Sequence, residues 1–493
     1  MSAAGYVLGP ALRALVVELA ELCVRGNLVV VAGAGVSRAS GMPGWSEMVV
    51  AIQREASKDL SGRLGPEEFE AVLSTIHGDD PISRADSLQR LMKTRLFRRR
   101  LHAALYGGLP AGELFRPSVV HWHIASLVDR TTMPDVFTSN YDDLLEDAKQ
   151  ALGRSGRIRH FHGRLPQDWN GMTRLADPPV VTTRDYMAAE EDHRYSRFSG
   201  ALRDKTALLV GFSLSDPNLA RVIRSQARDC RAILVASPGN LSATQQTLRL
   251  DLLRRYWLGL NVAVTAIEAH EELPAFLLAL RREVLRKRGR SLSRIGERAL
   301  KGSAFHSPWT LAGAYRWRTA LKEAVAAGKA VAGSVKGDRS LKAGFYAIAG
   351  DGVLVHLVSS DSTRRSYSGW PRRRLKADDA QPWGAAGYCY AAGVPISSSA
   401  TGAAFDRNVP EADLLAWQEE RTKQGRLPAA SVLSVPAWVR YDRSLVPVGV
   451  LYFSSRRGAA FEPRGDAERL RVVLQLTLAA MIKPDKVVEG GLP

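Results

Sequence analysis

The apolar positions of this chain follow two alternating patterns. Short continuous runs, Leu28–Val31, Asp135–Thr138, ALLV at 207–210, RAILVAS at 231–237 and NVAVTAI at 261–267, have the length and composition of buried strands. Between several of them apolar residues recur three and four apart. Leu12, Leu15, Val16, Leu19, Leu22 and Cys23 form one such helical stripe ahead of the first strand. Trp45–Gln53 predicts another helix. Residues 54–118 read as mostly helical and strongly charged, with LMKTRLFRRRLHAALYG as the clearest amphipathic piece, and this stretch is expected to cap a cleft. HWHIASLVD at 121–129 is a further helix. RIRHFHGRL at 157–165 reads as a strand ending at Gly163, and Pro178–Tyr186 as a strand and turn. Strands alternating with helices predict an α/β domain with a doubly wound, Rossmann-like parallel sheet over residues 1–285.

Two strands end in glycine. Leu28–Val31 runs straight into Gly33, Ala34, Gly35 and Ser37, and the strand at 207–210 into Gly211 and Ser213, with Asp216 and Pro217 suited to start the next helix. A strand leading into a glycine turn is how nucleotide-binding sheets bring backbone N–H groups to a diphosphate. Arg38 stands where the third glycine of G-x-G-x-x-G would be, so a plain strand-to-helix turn remains the alternative.

Later the grammar changes. RREVLRKRGRSLSRIGERALKG at 281–302 holds nine Lys or Arg against two Glu and reads as a helix end passing into a basic linker over 286–305. Beyond it come a helix at 309–327, a hairpin in GFYAIAGDGVLVHLVSS, strand-like segments at 384–396, 431–442 and 447–455, and a final helix at 468–482. Residues 306–493 therefore predict a smaller α+β domain.

Composition narrows the function classes. The chain of 493 residues carries a net charge of +18, and its apolar content of 45% is that of a globular protein. Such charge favours polyanions, yet an arginine-, alanine- and glycine-rich composition explains much of it, so nucleic acid is not favoured as the main partner. No apolar run is long enough to span a bilayer, and no signal sequence is evident, so a cytoplasmic location without membrane attachment is expected. The three scattered cysteines exclude a four-cysteine zinc module within this sequence, and no metal is expected.

Four pieces in order, GAGVS (33–37), TSNYD (138–142), HFHG (160–163) and VGFSLSDPN (210–218), resemble the sirtuin family, most of all its divergent prokaryotic branch. The resemblance covers about residues 20–285. It implies NAD+ as the substrate and cleavage of its nicotinamide–ribose bond through an oxocarbenium-like transition state. By the same resemblance Asn140 orients the ribose and attacking water, His162 is the general base, and Asp142 lies near the nicotinamide carboxamide. Gly33, Ala34, Gly35 and Ser37 form the phosphate and ribose cradle, and Gly211 and Ser213 line the adenosine end. His160 is a rival to His162. GMPGWS (41–46) lacks the aspartate and arginine that deacylating sirtuins carry there, and the zinc module is missing. Water is then the expected acceptor, which makes the domain an NAD+ glycohydrolase ahead of a protein deacylase or a binding-only sensor. The C-terminal segment resembles a GAF domain; Trp383, Tyr388, Trp417 and Arg440 are expected either to line a pocket there or to be ordinary core and surface side chains, and Cys389 to be a buried thiol. An NADase joined to a sensor implies a gated effector of the antiphage, abortive-infection type, homo-oligomeric and released by a small-molecule or protein trigger.

Overall fold

The computed structural model describes residues 8–348 except 60–65, 78–79, 109–113, 131–132, 172, 191–192, 213–216, 228, 236–241, 268–271 and 302–310. Beyond these it describes 353–360, 373–374, 386–387, 389–390, 393, 396–399, 431–441, 444–457, 460–461 and 464–481. The chain divides into two units, Leu22–Ala269 and Met1–Glu21 with His270–Pro493. Helix α1 (Pro10–Val24) begins in the second and ends in the first, and Leu12, Leu15, Val16, Leu19 and Cys23 are its buried stripe, as the spacing predicts.

The first unit is built on β1 (Leu28–Ala32), followed by α2 (Trp45–Asp59), α3 (Pro66–His77), α4 (Pro81–Tyr106), α5 (Val119–Leu127), β2 (Asp135–Thr138), α6 (Leu144–Ala151) and β3 (Arg157–His160). Next come α7 (Thr183–Glu190), α8 (His193–Asp204), β4 (Thr206–Val210), α9 (Pro217–Gln226), β5 (Asp229–Val235), α10 (Ala243–Leu258) and β6 (Val262–Ile267). All pairings are parallel and the strand order is β3-β2-β1-β4-β5-β6, the doubly wound arrangement the strand pattern predicts. Every residue of β1 is buried, as a central strand covered on both faces requires. Val29 and Val31 join Phe137, Phe161, Phe198, Leu209 and Trp257 in one core. The helices between β1 and β2 have a core of their own, with Met48, Ile52, Phe69, Leu88, Phe97 and Leu101, and Tyr141 and Leu144 from the segment after β2 reach into it.

Two expectations in this unit fail. The strand expected at 178–186 is a loop followed by α7, because Thr182 and Asp185 close a reciprocal cap: Thr182 N–H donates to Asp185 Oδ2 (3.1 Å) and Asp185 N–H to Thr182 Oγ1 (3.3 Å). The third strand stops at His160 rather than Gly163. The chain turns at once, with Gly163 at φ +83° and a would-be Cβ only 2.1 Å from the Pro178 carbonyl oxygen.

The second unit holds α11 (Glu272–Lys287), α12 (Leu292–Lys301), α13 (Leu311–Val331), β7 (Lys342–Ile348), β8 (Val353–Ser359), β9 (Arg373–Arg374), β10 (Ile396–Ser399), β11 (Ser431–Tyr441), β12 (Ser444–Ser455) and α14 (Arg464–Met481). Its sheet is antiparallel, in the order β10-β11-β12-β7-β8-β9. Trp317, Leu321, Leu470 and Leu474 of the helices share a core with Phe345 and Phe453 of the strands. The basic stretch at 286–305 is not simply a connector. Leu292, Ile295, Ala299 and Leu300 are buried at helical spacing, and a Cβ on Gly296 would stand 2.6 Å from the Pro447 carbonyl oxygen, so α12 lies directly on the sheet. The strand-and-turn expected at 384–396 is helical at 386–387 and 389–390. Cys389 and Tyr390 are both buried, and Gly393 N–H closes a helical turn onto the Cys389 carbonyl four residues back (2.9 Å). The hairpin turn at 349–352, Trp383, Tyr388, Trp417 and the Arg440 side chain lie outside the described residues.

Candidate active site

Ligands of doubly wound sheets bind beyond the carboxyl ends of the strands, where the winding reverses. Here that point lies between β1 and β4. The glycines there serve the protein's own packing. Gly33 N–H donates to the Val210 carbonyl and Gly35 N–H to the Gly211 carbonyl (both 2.8 Å). A Cβ on Gly35 would stand 2.8 Å from the Gly211 oxygen, and Gly211, at φ +74°, could not carry one without meeting Val36 N at 2.6 Å. The amides of Gly33 and Gly35 are therefore spent in joining two loops, and Ala34 is the exposed residue between them. Ser213 and Asp216 lie outside the described residues.

Ser37 is the centre of the polar network. Its hydroxyl donates to Asp142 Oδ2 (2.9 Å), accepts from Asn140 Nδ2 (3.0 Å) and lies 3.1 Å from His121 Nε2. Asp142 also accepts Leu144 N–H at the start of α6 (3.2 Å). Burial raises the Asp142 carboxyl to about 6; the Ser37 and Leu144 hydrogen bonds and the charge of His160 restrain the rise, and Glu146 adds to it. Asn140 is fixed through its backbone as well. Its N–H donates to Thr138 Oγ1 (3.0 Å), and its carbonyl accepts from His160 Nδ1 (2.7 Å). Because Ser37 gives its only proton to Asp142, the atom of Asn140 facing Ser37 is the nitrogen. Asn140 Oδ1 then points the other way, buried and without a hydrogen-bond partner among the described residues.

His160 is occupied. Nδ1 meets a carbonyl and Nε2 the Glu146 carboxylate (2.5 Å), both acceptors, so the ring is doubly protonated. Burial opposes that charge, but Glu146, the Asn140 carbonyl and Asp142 together outweigh it, so the His160 pKa is raised. It braces Asn140 through the backbone carbonyl. His162, two residues on, is buried in an aromatic setting, its ring near Phe161 (4.5 Å), edge-on to Tyr186 (5.4 Å) and beside Tyr195 (6.0 Å). Its carbonyl accepts Val180 N–H (2.8 Å).

One member of the network is absent from the motifs. His121 reads from sequence as part of an apolar helix, and its visible signal is a histidine three residues after Ser118, where a capping-box side chain sits. An ion pair flanks the GMPGW loop: Arg38 before it holds both oxygens of Glu47 after it, and Glu47 also accepts the loop's Gly44 N–H (2.7 Å). Among the described residues no group of three or more His, Cys, Asp or Glu could hold a metal. No described helix is long and apolar enough to cross a membrane.

Residues 134–256 match the SIR2-like domain family. That match lies within the first unit, from just before β2 into α10. Two NAD(+) hydrolases named ThsA are similar to it. The Enterococcus faecium protein is 23% identical over 56% of this chain and 59% of its own, and that of Acinetobacter baumannii (strain 532279) 26% identical over 42% and 40%. The chain thus spans about half the length of these relatives. A solved chain from work on the mechanism and regulation of Sir2 enzymes aligns with 56% of this chain and 99% of its own, at 15% identity and a TM-score of 0.29, and adds nothing to the topology read from strand pairing. The SIR2-like match begins at Pro134, just before β2, and takes in Asn140, Asp142 and His162.

Proposed function

We propose that the SIR2-like domain is an NAD+ glycohydrolase that releases nicotinamide and ADP-ribose. The observation that carries this is Asn140 Oδ1, a buried acceptor with no hydrogen-bond partner among the described residues, at the carboxyl end of β2 beside the point where the sheet reverses. It suits a ribose hydroxyl or the attacking water, and its negative end lies well for the positive charge that develops as the C–N bond breaks. The leaving group is a pyridinium that departs neutral, so the site needs orientation and exclusion of bulk water more than a strong acid. His162 takes a proton from the ribose hydroxyl or water as the general base, and Asp142 stands near the carboxamide. Gly33, Ala34, Gly35, Ser37 and Gly211 shape the floor under the dinucleotide; with the Gly33 and Gly35 amides engaged, their contribution is shape rather than donation.

The relatives' names support hydrolysis, and so does GMPGWS (41–46), where Gly44 and Ser46 replace the residues of deacylating sirtuins. In this reading the C-terminal unit, an antiparallel sheet with helices packed on it, is a GAF-like sensor. It holds the NADase silent in the cytoplasm, as a homo-oligomer, until a trigger arrives, because unrestrained NAD+ hydrolysis would kill the host. The test is nicotinamide release from NAD+ by the full chain, alone and with extract of phage-infected cells. Asn140→Ala and His162→Ala are run alongside. Release that collapses in both variants supports the reading. Equal turnover in variants and parent removes those residues from the mechanism, and release only with an acyl-peptide assigns deacylation instead.

A further inference from the structure

The hydroxyl of Ser37 has one proton and two lone pairs, and three side chains meet it. Asp142, as a carboxylate, can only accept, so it takes the proton. Asn140 and His121 must then both donate. His121 can do so only as the neutral tautomer with its proton on Nε2. The structure selects that tautomer: the Ser118 backbone N–H, which can only donate, points at His121 Nδ1 (3.0 Å), and the Ser118 hydroxyl lies 2.8 Å from the same atom. Burial holds the ring neutral, its pKa pushed down to about 3. The chain of bonds therefore has one direction, from the Ser118 amide through His121 to Ser37, where it meets Asn140 and ends on Asp142.

The direction matters because of what is left free at Asn140. Its backbone is held at N–H and carbonyl, yet neither bond tells the side-chain amide which end to present. Turning the amide over exchanges Oδ1 and Nδ2 with little change in shape. Among the described residues only Ser37, facing Asn140 with a lone pair, distinguishes the two ends, and it does so only while its proton is committed elsewhere. An apolar residue at position 121 would leave a Ser37 lone pair empty and its hydroxyl free to swing. Donation to Oδ1 of a turned-over Asn140 would then compete with donation to Asp142.

We propose that His121 is the positioning residue of this site: its Nε2–H fixes the Ser37 hydroxyl, and the fixed hydroxyl sets which end of the Asn140 amide faces the substrate. The consequence for turnover rests on the NADase reading above, whereas the consequence for the amide does not. His121 touches no reacting atom, so its loss acts on the transition state through Asn140.

The experiment uses the full chain with His121→Leu, His121→Gln (which can return a terminal amide donor), Ser37→Ala and the Ser37→Ala/His121→Leu pair. The Asn140 side-chain amide, identified by its disappearance in Asn140→Asp, is followed by 1H–15N NMR. It gives one slowly exchanging proton pair in the parent and an averaged, faster-exchanging one in His121→Leu. In nicotinamide release, His121→Leu lowers kcat roughly ten- to a hundredfold, the span of a lost buried hydrogen bond, with a smaller change in KM. His121→Gln recovers most of it, and His121→Leu costs nothing more once Ser37 is Ala. An unchanged Asn140 resonance in His121→Leu overturns the proposal, as do multiplicative losses in the pair. Should His121→Leu fail to fold, His121→Gln with and without Ser37→Ala decides by the same criterion. A parent that releases no nicotinamide refutes the NADase reading alone, and the Asn140 resonance still judges His121.

Discussion

Replacing Asp142 by Asn removes a carboxylate that burial disfavours, and the structure sets both the sign and the pH window of the effect. Asp142 is 5% exposed, and its pKa stands at about 6 against 3.8 for an ordinary aspartate. A raised carboxyl pKa means that the native state binds the proton more tightly than the unfolded chain. Its stabilising contribution is complete below 3.8 and is lost as pH rises through about 6, a total of about 3 kcal/mol. About 2 kcal/mol of that falls between pH 4.5 and pH 7. The charged neighbours act elsewhere or cancel. His160 has a raised pKa, so its contribution is lost only above the ordinary histidine value; Glu146 has a lowered one, so its contribution is lost below the ordinary glutamate value. Asp147, also raised to about 6, is present in both proteins. The carboxamide introduced by Asp142→Asn can offer an acceptor to Ser37 or to Leu144 N–H, not both, which costs about 1 kcal/mol at every pH. Hydrogen exchange of peptides covering β1 and β2, corrected for intrinsic rates, gives the opening free energy of this unit. Relative to the parent, Asp142→Asn gains about 2 kcal/mol on going from pH 4.5 to pH 7. An offset that stays flat across that range would refute the account of Asp142 as a charge held against burial.

Gly211→Ala forces a side chain into positive φ and against Val36 N, and is expected to cost about 2–4 kcal/mol, read as a fall of several degrees in the thermal midpoint. Phe198, fully buried and stacked on Phe161 with ring centroids 4.2 Å apart, costs about 3–5 kcal/mol as Ala. Since Phe161 adjoins His162, nicotinamide release falls with it, and an unchanged kcat would separate His162 from that core. Arg38→Ala breaks an ion pair whose side chains are about half exposed, so it changes urea stability by less than about 1 kcal/mol.

What could be read from sequence was whatever local chemistry must announce. A strand running into a sharp turn needs glycine, so Gly33, Gly35 and Gly211 stand out. An asparagine and a histidine just past short strands are conspicuous as well, and the parallel order follows from strands spaced by helices. What stayed hidden depends on distance or on conflicting signals. His121 meets Ser37 across 84 positions, and nothing near either residue records the meeting. Val180 and Val181 look like a strand until Thr182 and Asp185 close a helix cap just beyond them. In the basic stretch, nine cations conceal the Leu292, Ile295, Ala299 and Leu300 spacing that seats α12 on its sheet.

The seam between Gly33–Val36 and Val210–Gly211 has a mechanical consequence. Two main-chain hydrogen bonds and three glycines without room for a methyl group stitch the ends of neighbouring strands into one stiff floor. Such a floor cannot part without breaking those bonds, so little reorganisation is left for the moment of reaction. If the site takes a dinucleotide as proposed, its admission and release would be governed by what lies above the sheet rather than by the sheet spreading. Any control over this site works as a shutter on a fixed frame.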